Sequence, residues 1–398
     1  MTAMNEGRPA GHEEMRRHNL LLVLSTIGGH WPIDKADLAQ KTGLSWGSVT
    51  SITEDLMRRG LIQAAKTAFE GRGRNPSLFR LRKDARFSIG IDLGVTNVRV
   101  LLLDIEGETV GITRERSPIT ASNTPEQSIA HCSVIAQKLL AKHKISREKL
   151  LGIGVGISGT VDPTQGICLS LSNLPRWVNV PVAKLFIAQL KLPVILDRSG
   201  NCVAFAELNY GAALRIPHSI CLTLGDDLAA GFIFNNEVYR GAENLVGEIG
   251  SVVMSADATF ARLSDLVSNR ALVARWKKIS GQSATAKQIH DLAMAGNAKA
   301  EPLFVEIGTM LGIAIGNLVN LLNPKRVILG GRLANSRPLF EKAMQESLNR
   351  TVFTAAKFDV QTSQLGEMDV AKGAASLLMT RAFGTGEGML TKVQRVKA

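Results

Sequence analysis

Residues 88–104 read SIGIDLGVTNVRVLLLD and residues 219–235 read SICLTLGDDLAAGFIFN, each an apolar run, a glycine turn and a second apolar run. At an offset of 131 residues Ser88 falls on Ser219, Ile89 on Ile220, Leu93 on Leu224 and Gly94 on Gly225. Short apolar runs broken by glycine predict buried β-hairpins. Their recurrence predicts a body made of two similar halves. Two glycine turns at hairpin tips that face each other across a cleft would offer backbone N–H groups to phosphates.

The chain around these stretches has 398 residues, 45% of them hydrophobic and 21% charged. That is too long for one ordinary core and too apolar for a disordered chain, so two or three domains are expected. The formal charge of +12 makes an acidic partner such as nucleic acid worth seeking. Cys132, Cys168, Cys202 and Cys221 match no CxxC zinc or redox spacing, which fits a reduced, cytoplasmic setting. The N-terminal MTAMNEGRPAGHEEMRRHN lacks the basic and then apolar order of an export signal. Residues 303–322 are apolar enough to suggest a membrane span, but Glu306, Asn317, Asn320 and three glycines argue for a buried helix instead.

The front of the chain predicts a small helical module. A first helix is expected over 16–27 and a second over 33–41 with Asp34 as a possible cap, followed by a tight turn at Thr42, Gly43 and Leu44. Ser45 can cap a third helix, in which Val49, Ile52 and Leu56 recur at the spacing of a core-facing stripe. Its other face starts with Trp46, Gly47, Ser48, Thr50 and Ser51 and ends at Arg58 and Arg59. Small and hydrogen-bonding residues at the start of a helix, with bases at its end, suit a recognition helix in a major groove. Residues 61–65 and 77–81 then predict a hairpin, a wing whose tip carries Arg72 and Arg74 between glycines, suited to a narrow minor groove. From Arg58 to Arg86 nine bases face two acids, more than half of the formal excess.

Further motifs give the body a resemblance. Asp92, Gly94 and Thr96 look like a DxGxT phosphate motif, and residues 152–166, GIGVGISGTVDPTQG, look like a glycine-rich GxVD loop. Asn173, Leu174, Pro175 and Trp177 look like an NLPxW segment, Gly247, Glu248 and Gly250 like GExGH, and residues 320–331 like an adenosine-side segment. On these motifs the chain resembles the ROK family, which unites sugar-responsive repressors with sugar kinases. The resemblance implies an actin-like ATPase fold of two duplicated halves behind an N-terminal winged helix-turn-helix. It divides the chain into an N-terminal segment 1–14, a DNA-binding domain 15–84, body halves 85–215 and 216–384, and a tail 385–398.

The resemblance also shows what is missing. Aligned on Asn201, Ala204, Ala206 and Glu207, Ser199 stands where the family has its catalytic Asp, and a neutral hydroxyl cannot take the sugar proton. Asp197 lies two residues earlier, about 6–7 Å along a strand. The expected GTG of the second phosphate turn is Gly225, Asp226, Asp227, whose carboxylates would repel a polyphosphate. Ser251 replaces the zinc histidine, residues 252–268 hold no cysteine, and only Ser264 or Asp265 lies near the place of a sugar-binding Glu. No catalytic residue, metal or cofactor is therefore expected.

The reading that follows is a transcriptional regulator, most simply a repressor, rather than a sugar kinase with an accessory DNA-binding domain. Its DNA contacts would be Ser45, Trp46, Gly47, Ser48, Thr50, Ser51, Arg58, Arg59, Arg72 and Arg74. Asn173, Asp197 and Glu248 would contact a sugar or other small polar effector. The expected partners are palindromic operator DNA and further copies of the chain in a homodimer or higher homo-oligomer, with no membrane.

Overall fold

The computed structural model describes residues 12–65, 77–171, 174–255 and 260–385. Three helices, α1 (His12–His30), α2 (Lys35–Thr42) and α3 (Trp46–Arg58), precede an antiparallel pair, β1 (Ile62–Ala65) and β2 (Leu78–Leu81), in which Ile62 faces Leu81. The first helix is longer than its apolar run. It continues through Gly28, where a Cβ would already stand 3.3 Å from Leu81, so the missing side chain makes room for β2. Ile33 belongs to no helix because it exchanges two backbone hydrogen bonds with Phe79, 3.2 and 2.8 Å. Asp34 then caps α2 by accepting from the Asp37 N–H at 2.8 Å, and Gly43 ends that helix at φ 69°.

The body carries two five-stranded sheets of one design. The first contains β3 (Phe87–Leu93), β4 (Asn97–Asp104), β5 (Thr109–Arg116), β6 (Leu150–Ile157) and β10 (Val194–Arg198), in the order β5-β4-β3-β6-β10. A small sheet of β7 (Thr160–Asp162), β8 (Ile167–Ser170) and β9 (Val178–Val180) interrupts this numbering. The second main sheet contains β11 (His218–Leu224), β12 (Leu228–Phe234), β13 (Glu237–Tyr239), β14 (Arg326–Gly330) and β15 (Asp359–Thr362), in the order β13-β12-β11-β14-β15. In both sheets the first strand begins an antiparallel meander of three strands on one side, and two strands parallel to it extend on the other. The duplication legible in residues 88–104 and 219–235 is therefore a duplication of topology. The two turns differ by one residue, since Leu93 pairs with Val98 whereas Leu224 pairs with Leu228, the aspartate-bearing turn being the tighter.

Helices complete each half: α4 (Pro125–Lys142), α5 (Val182–Leu190) and α6 (Ser199–Tyr210), then α7 (Leu263–Leu266), α8 (Asn269–Ser280), α9 (Ala286–Met294), α10 (Glu301–Leu322), α11 (Arg337–Thr351) and α12 (Asp369–Thr385). The apolar stretch that might have crossed a membrane is α10, with Phe304, Ile307, Leu311 and Ile315 buried in the second half. Its glycines admit a neighbour. A Cβ on Gly308 or Gly312 would lie 2.4 Å from a carbonyl oxygen of α11.

The same device places α12. Glycine weakens a strand unless another backbone must come close, and Gly90 of β3 and Gly154 of β6 would each bring a Cβ to 1.8 Å from a carbonyl oxygen of α12. The last helix thus lies directly on the first sheet. Farther along it, Leu378, Met379 and Ala382 join Leu20, Val23, Leu24, Ile27 and Leu81 of the N-terminal module in one apolar cluster with Ile105 and Leu151.

Candidate functional site

The first candidate surface is the start of α3. Ser45 caps the helix, accepting from the Ser48 N–H at 3.2 Å, and the two hydroxyls lie 2.9 Å apart. Val49, Ile52 and Leu56 are buried, while Trp46, 59% exposed, stands in solvent with Ser45, Gly47 and Ser51; Ser48 and Thr50 are half-buried. The face expected to be free is free. Arg58 and Arg59 are not unattached cations, since both pair with the buried Asp55 at 3.2 Å.

The other described bases of this stretch are paired or buried as well. Arg80 donates to both oxygens of Glu106 in the body at 3.1 Å, Lys83 reaches the same carboxylate at 3.4 Å, Arg82 pairs with Asp84, and Arg86 is fully buried. Among the described residues, the charge counted from Arg58 to Arg86 therefore serves in part to hold the module together and to seat it on the body, while Arg58 and Lys83 stay more than half exposed. Arg72 and Arg74 lie outside the described residues.

The second candidate surface is a cleft of about 540 Å³ between the two halves, a size that suits a small polar molecule. The two glycine turns meet at it. Thr96 of the first donates from its hydroxyl to Asp226 of the second at 2.8 Å, and Arg332, just after β14, donates to both Asp226 oxygens at 2.9 and 3.0 Å. Asp227 accepts from the Leu228 N–H at 2.9 Å and stands 3.7 Å from Arg270. The repulsion expected of this carboxylate pair is thus offset by arginines from distant parts of the chain.

The nearby carboxylates are engaged as well, and Asp197, expected to contact an effector, does not itself line the cleft, although the next residues Arg198 and Ser199 do. Asp197 is 3% exposed and accepts from the Arg198 N–H (2.8 Å), Asn201 Nδ2 (2.7 Å) and Arg240 Nε and Nη2 (3.2 and 2.8 Å). Held by four donors, it is in no position to act as a free base. Ser199 opens α6 and accepts from the Ser158 hydroxyl at 3.3 Å. Glu248 lines the cleft, half-exposed, and pairs with Arg198, whose guanidinium also donates to the Asn244 and Val246 carbonyls. Asn173 lies outside the described residues; its neighbours Leu171 and Leu174 line the cleft, and Trp177 is buried in the first core.

Asp92 pairs with Arg99 at 2.7 Å, yet burial pushes its carboxyl up to about 6. Burial likewise pushes Asp369, the first residue of α12, up to about 7, with the charge of Asp92 adding to the effect. All four cysteines are buried and separate. Sequence reasoning missed Arg99, Arg198, Arg270 and Arg332, the cations that line this cleft, and Arg240, which holds Asp197 behind it. Their partners are mostly remote in sequence, and nothing local marks them.

Residues 88–381 match the model of the ROK family. The chain belongs to that family. Among its relatives is a xylose repressor of Caldicellulosiruptor bescii, 27% identical over 390 residues that cover 93% of this chain and 97% of the relative. The fold is that of a solved ROK family transcriptional regulator, a homologue of the E. coli MLC protein, with a TM-score of 0.79 at 20% identity over 94% of this chain and 98% of the other. A ROK family glucokinase from Streptomyces griseus, solved with glucose and AMPPNP, matches at a TM-score of 0.65 and 24% identity over 73% of this chain and 98% of its own, so the ROK body is the actin-like ATPase fold of the kinases. The regulator spans nearly the whole chain and the kinase only about three quarters of it.

Proposed function

We propose that this ROK protein is a DNA-binding transcriptional regulator, a repressor, that reads operator DNA with α3 and the wing. The observation that carries the reading is the free, capped start of α3, where Trp46, Gly47 and Ser51 stand exposed above a buried Val49, Ile52 and Leu56 stripe. A helix so presented puts hydrogen-bonding side chains where base edges are read. The full-length likeness to a xylose repressor supports it. Arg72 and Arg74 supply the minor-groove contact in this reading, and Arg58, half-released from Asp55 by its exposure, a phosphate contact.

One module offers little surface for specific binding, so the protein acts as a homodimer on a palindrome, in the cytoplasm. The body senses rather than transforms. Phosphoryl transfer needs a base beside the attacking hydroxyl and open phosphate loops, and here Ser199 is no base, Asp197 is tied to Arg240, and Asp226 fills the phosphate turn. Glu248 and Asn173 hydrogen-bond a sugar or similar polar effector in this reading, with Arg198 holding Glu248 in place. Coupling runs through α12, whose Asp369 and Val370 line the cleft while Leu378, Met379 and Ala382 lie in the module's core.

The test is selection of bound fragments from genomic DNA by the purified full-length protein, with sedimentation of the protein and its complex. Enrichment of dyad-symmetric sites bound by a dimer is expected. A protein that enriches no site, or that sediments as a monomer with and without DNA, would sink the proposal.

A further inference from the structure

The helix that opens in the cleft ends against the seat of the N-terminal module. Ser199 and Gly200, the first residues of α6, line the cleft. A Cβ on Gly200 would lie 2.5 Å from the Ala230 carbonyl oxygen of β12, and one on Gly231 would lie 2.2 Å from the Gly200 carbonyl oxygen, so the second half holds the start of α6 backbone to backbone. About 18 Å along the axis, this twelve-residue helix ends at Tyr210. The Tyr210 ring covers the turn between β4 and β5, where a Cβ on Gly107 would lie 2.5 Å from it. From α12, Lys372 Nζ stands 4.3 Å over the same ring, and the Ser376 hydroxyl lies 3.1 Å from the Tyr210 hydroxyl.

The turn that Tyr210 covers also holds the module. Asp104 accepts from the N–H groups of Glu106 and Glu108 at 2.9 Å each, which makes residues 104–108 one compact unit. Ile105 is buried in the apolar cluster with Leu24 and Leu81, and Glu106, whose side chain is 2% exposed, takes Arg80 and Lys83. Arg80 is fixed from its other side by the Trp31 ring, 4.9 Å away. A hydrogen bond weakens steeply with misalignment, and a buried carboxylate that loses its cations is costly. Small displacements of the turn therefore bear directly on how the module is seated.

We propose that α6 is a lever between the cleft and the module, and that Tyr210 is the positioning residue at its far end, setting through Gly107 where Glu106 presents its carboxylate to Arg80 and Lys83. A movement of the second half on filling of the cleft is passed from β12 to the start of α6, because the contact at Gly200 leaves no room for slippage. The helix carries it to Tyr210 and the ring passes it to residues 104–108. The inference rests on the proposed reading in which the cleft senses and the module reads DNA. To the apolar route along α12 it adds a polar one, whose last link is the pairing of Glu106 with Arg80.

The experiment measures backbone amide exchange by mass spectrometry in the full-length protein as wild type, Tyr210→Phe, Tyr210→Ala, Gly200→Ala and the double variant Gly200→Ala with Tyr210→Ala. Tyr210→Ala is expected to speed exchange in β2 about tenfold while β3 and β6 exchange as in the wild type, and Tyr210→Phe, which keeps the ring on Gly107, is expected to restore the wild-type rate. Gly200→Ala drives a Cβ toward the Ala230 carbonyl at the cleft end of the lever. It should speed exchange in β2 as well, and should add nothing once Tyr210 is Ala, since effects that share one route do not add. Should Gly200→Ala prevent folding, Gly107→Ala runs the same cycle from the other end: its Cβ presses on the ring, so the acceleration it causes should fall back to that of Tyr210→Ala when the two are combined. Wild-type exchange in β2 of a folded Tyr210→Ala would overturn the proposal, and so would effects that simply multiply in the double variants. Exchange is read without DNA or effector, so its outcome is separate from that of the genomic selection, which tests the proposed function itself.

Discussion

Asp369 is 6% exposed at the start of α12, with one oxygen accepting from the Val370 N–H at 2.7 Å, and its carboxyl titrates at about 7 because burial disfavours the ionised form. In an unfolded chain an aspartate titrates near 4. Between these values the folded protein binds the proton that the unfolded chain has lost, so stability falls as pH rises from about 4 to about 7. Below about pH 4 both states are protonated and the contribution vanishes. The substitution Asp369→Asn keeps the shape and the oxygen facing Val370 but removes the ionisation. Three pKa units amount to about 4 kcal/mol, so at pH 8 the variant is expected to exceed the wild type in unfolding free energy by something on the order of 2–4 kcal/mol. The gain should shrink through pH 6 and disappear at pH 4. Urea denaturation followed by circular dichroism at the three pH values measures it. A gain independent of pH, or a variant less stable than the wild type at pH 8, would refute the reasoning, the latter by showing that the ionised carboxylate holds a cation the fold needs.

Ser45→Ala and Ser48→Ala should separate folding from reading. The first removes the cap of α3 and should cost about 1 kcal/mol of stability, whereas the second should cost about 1–3 kcal/mol of binding to the preferred DNA site at fixed salt; loss of both properties in both variants would show that the helix start is only structural. Gly154→Ala should cost about 3 kcal/mol or more in denaturant titrations, because its Cβ would lie 1.8 Å from the Ala374 carbonyl oxygen and α12 has no slack to give. Glu106→Gln should speed amide exchange in β2 without unfolding the body, since Arg80 and Lys83 both anchor to that carboxylate; exchange identical to the wild type would mean that the shared apolar cluster alone holds the module.

The fold was legible wherever a local period carried it. Ser45, Gly43 and the Val49, Ile52 and Leu56 stripe predict helix, turn and helix from neighbours three or four residues apart, and the structure uses them that way. The repeat at 131 residues predicts two equivalent sheets because equal hairpins nucleate equal meanders. Errors arise where a distant partner overrides the local signal. Ile33 leaves the second helix because Phe79, forty-six positions on, offers it two hydrogen bonds, and α1 outruns its apolar stretch because β2 packs on Gly28.

Charge was the least legible property, and for a physical reason. A count of Lys and Arg over a stretch treats each cation as facing water, but a guanidinium on a long stem reaches whatever acid the fold brings near, and partial burial strengthens the pairing. Asp55 and Asp84 take up Arg58, Arg59 and Arg82 locally, and Glu106 of the body takes up Arg80 and Lys83, so part of the basic stretch holds the module together and part seats it on the body. The cleft and the residues just behind it repeat the lesson with the signs exchanged. Asp226, Asp197 and Glu248, conspicuous as acids in a basic chain, are matched by Arg332, Arg240 and Arg198. A carboxylate in or beside a kinase-like cleft therefore indicates a free contact for a ligand only after the arginines that the fold brings to it have been placed around it.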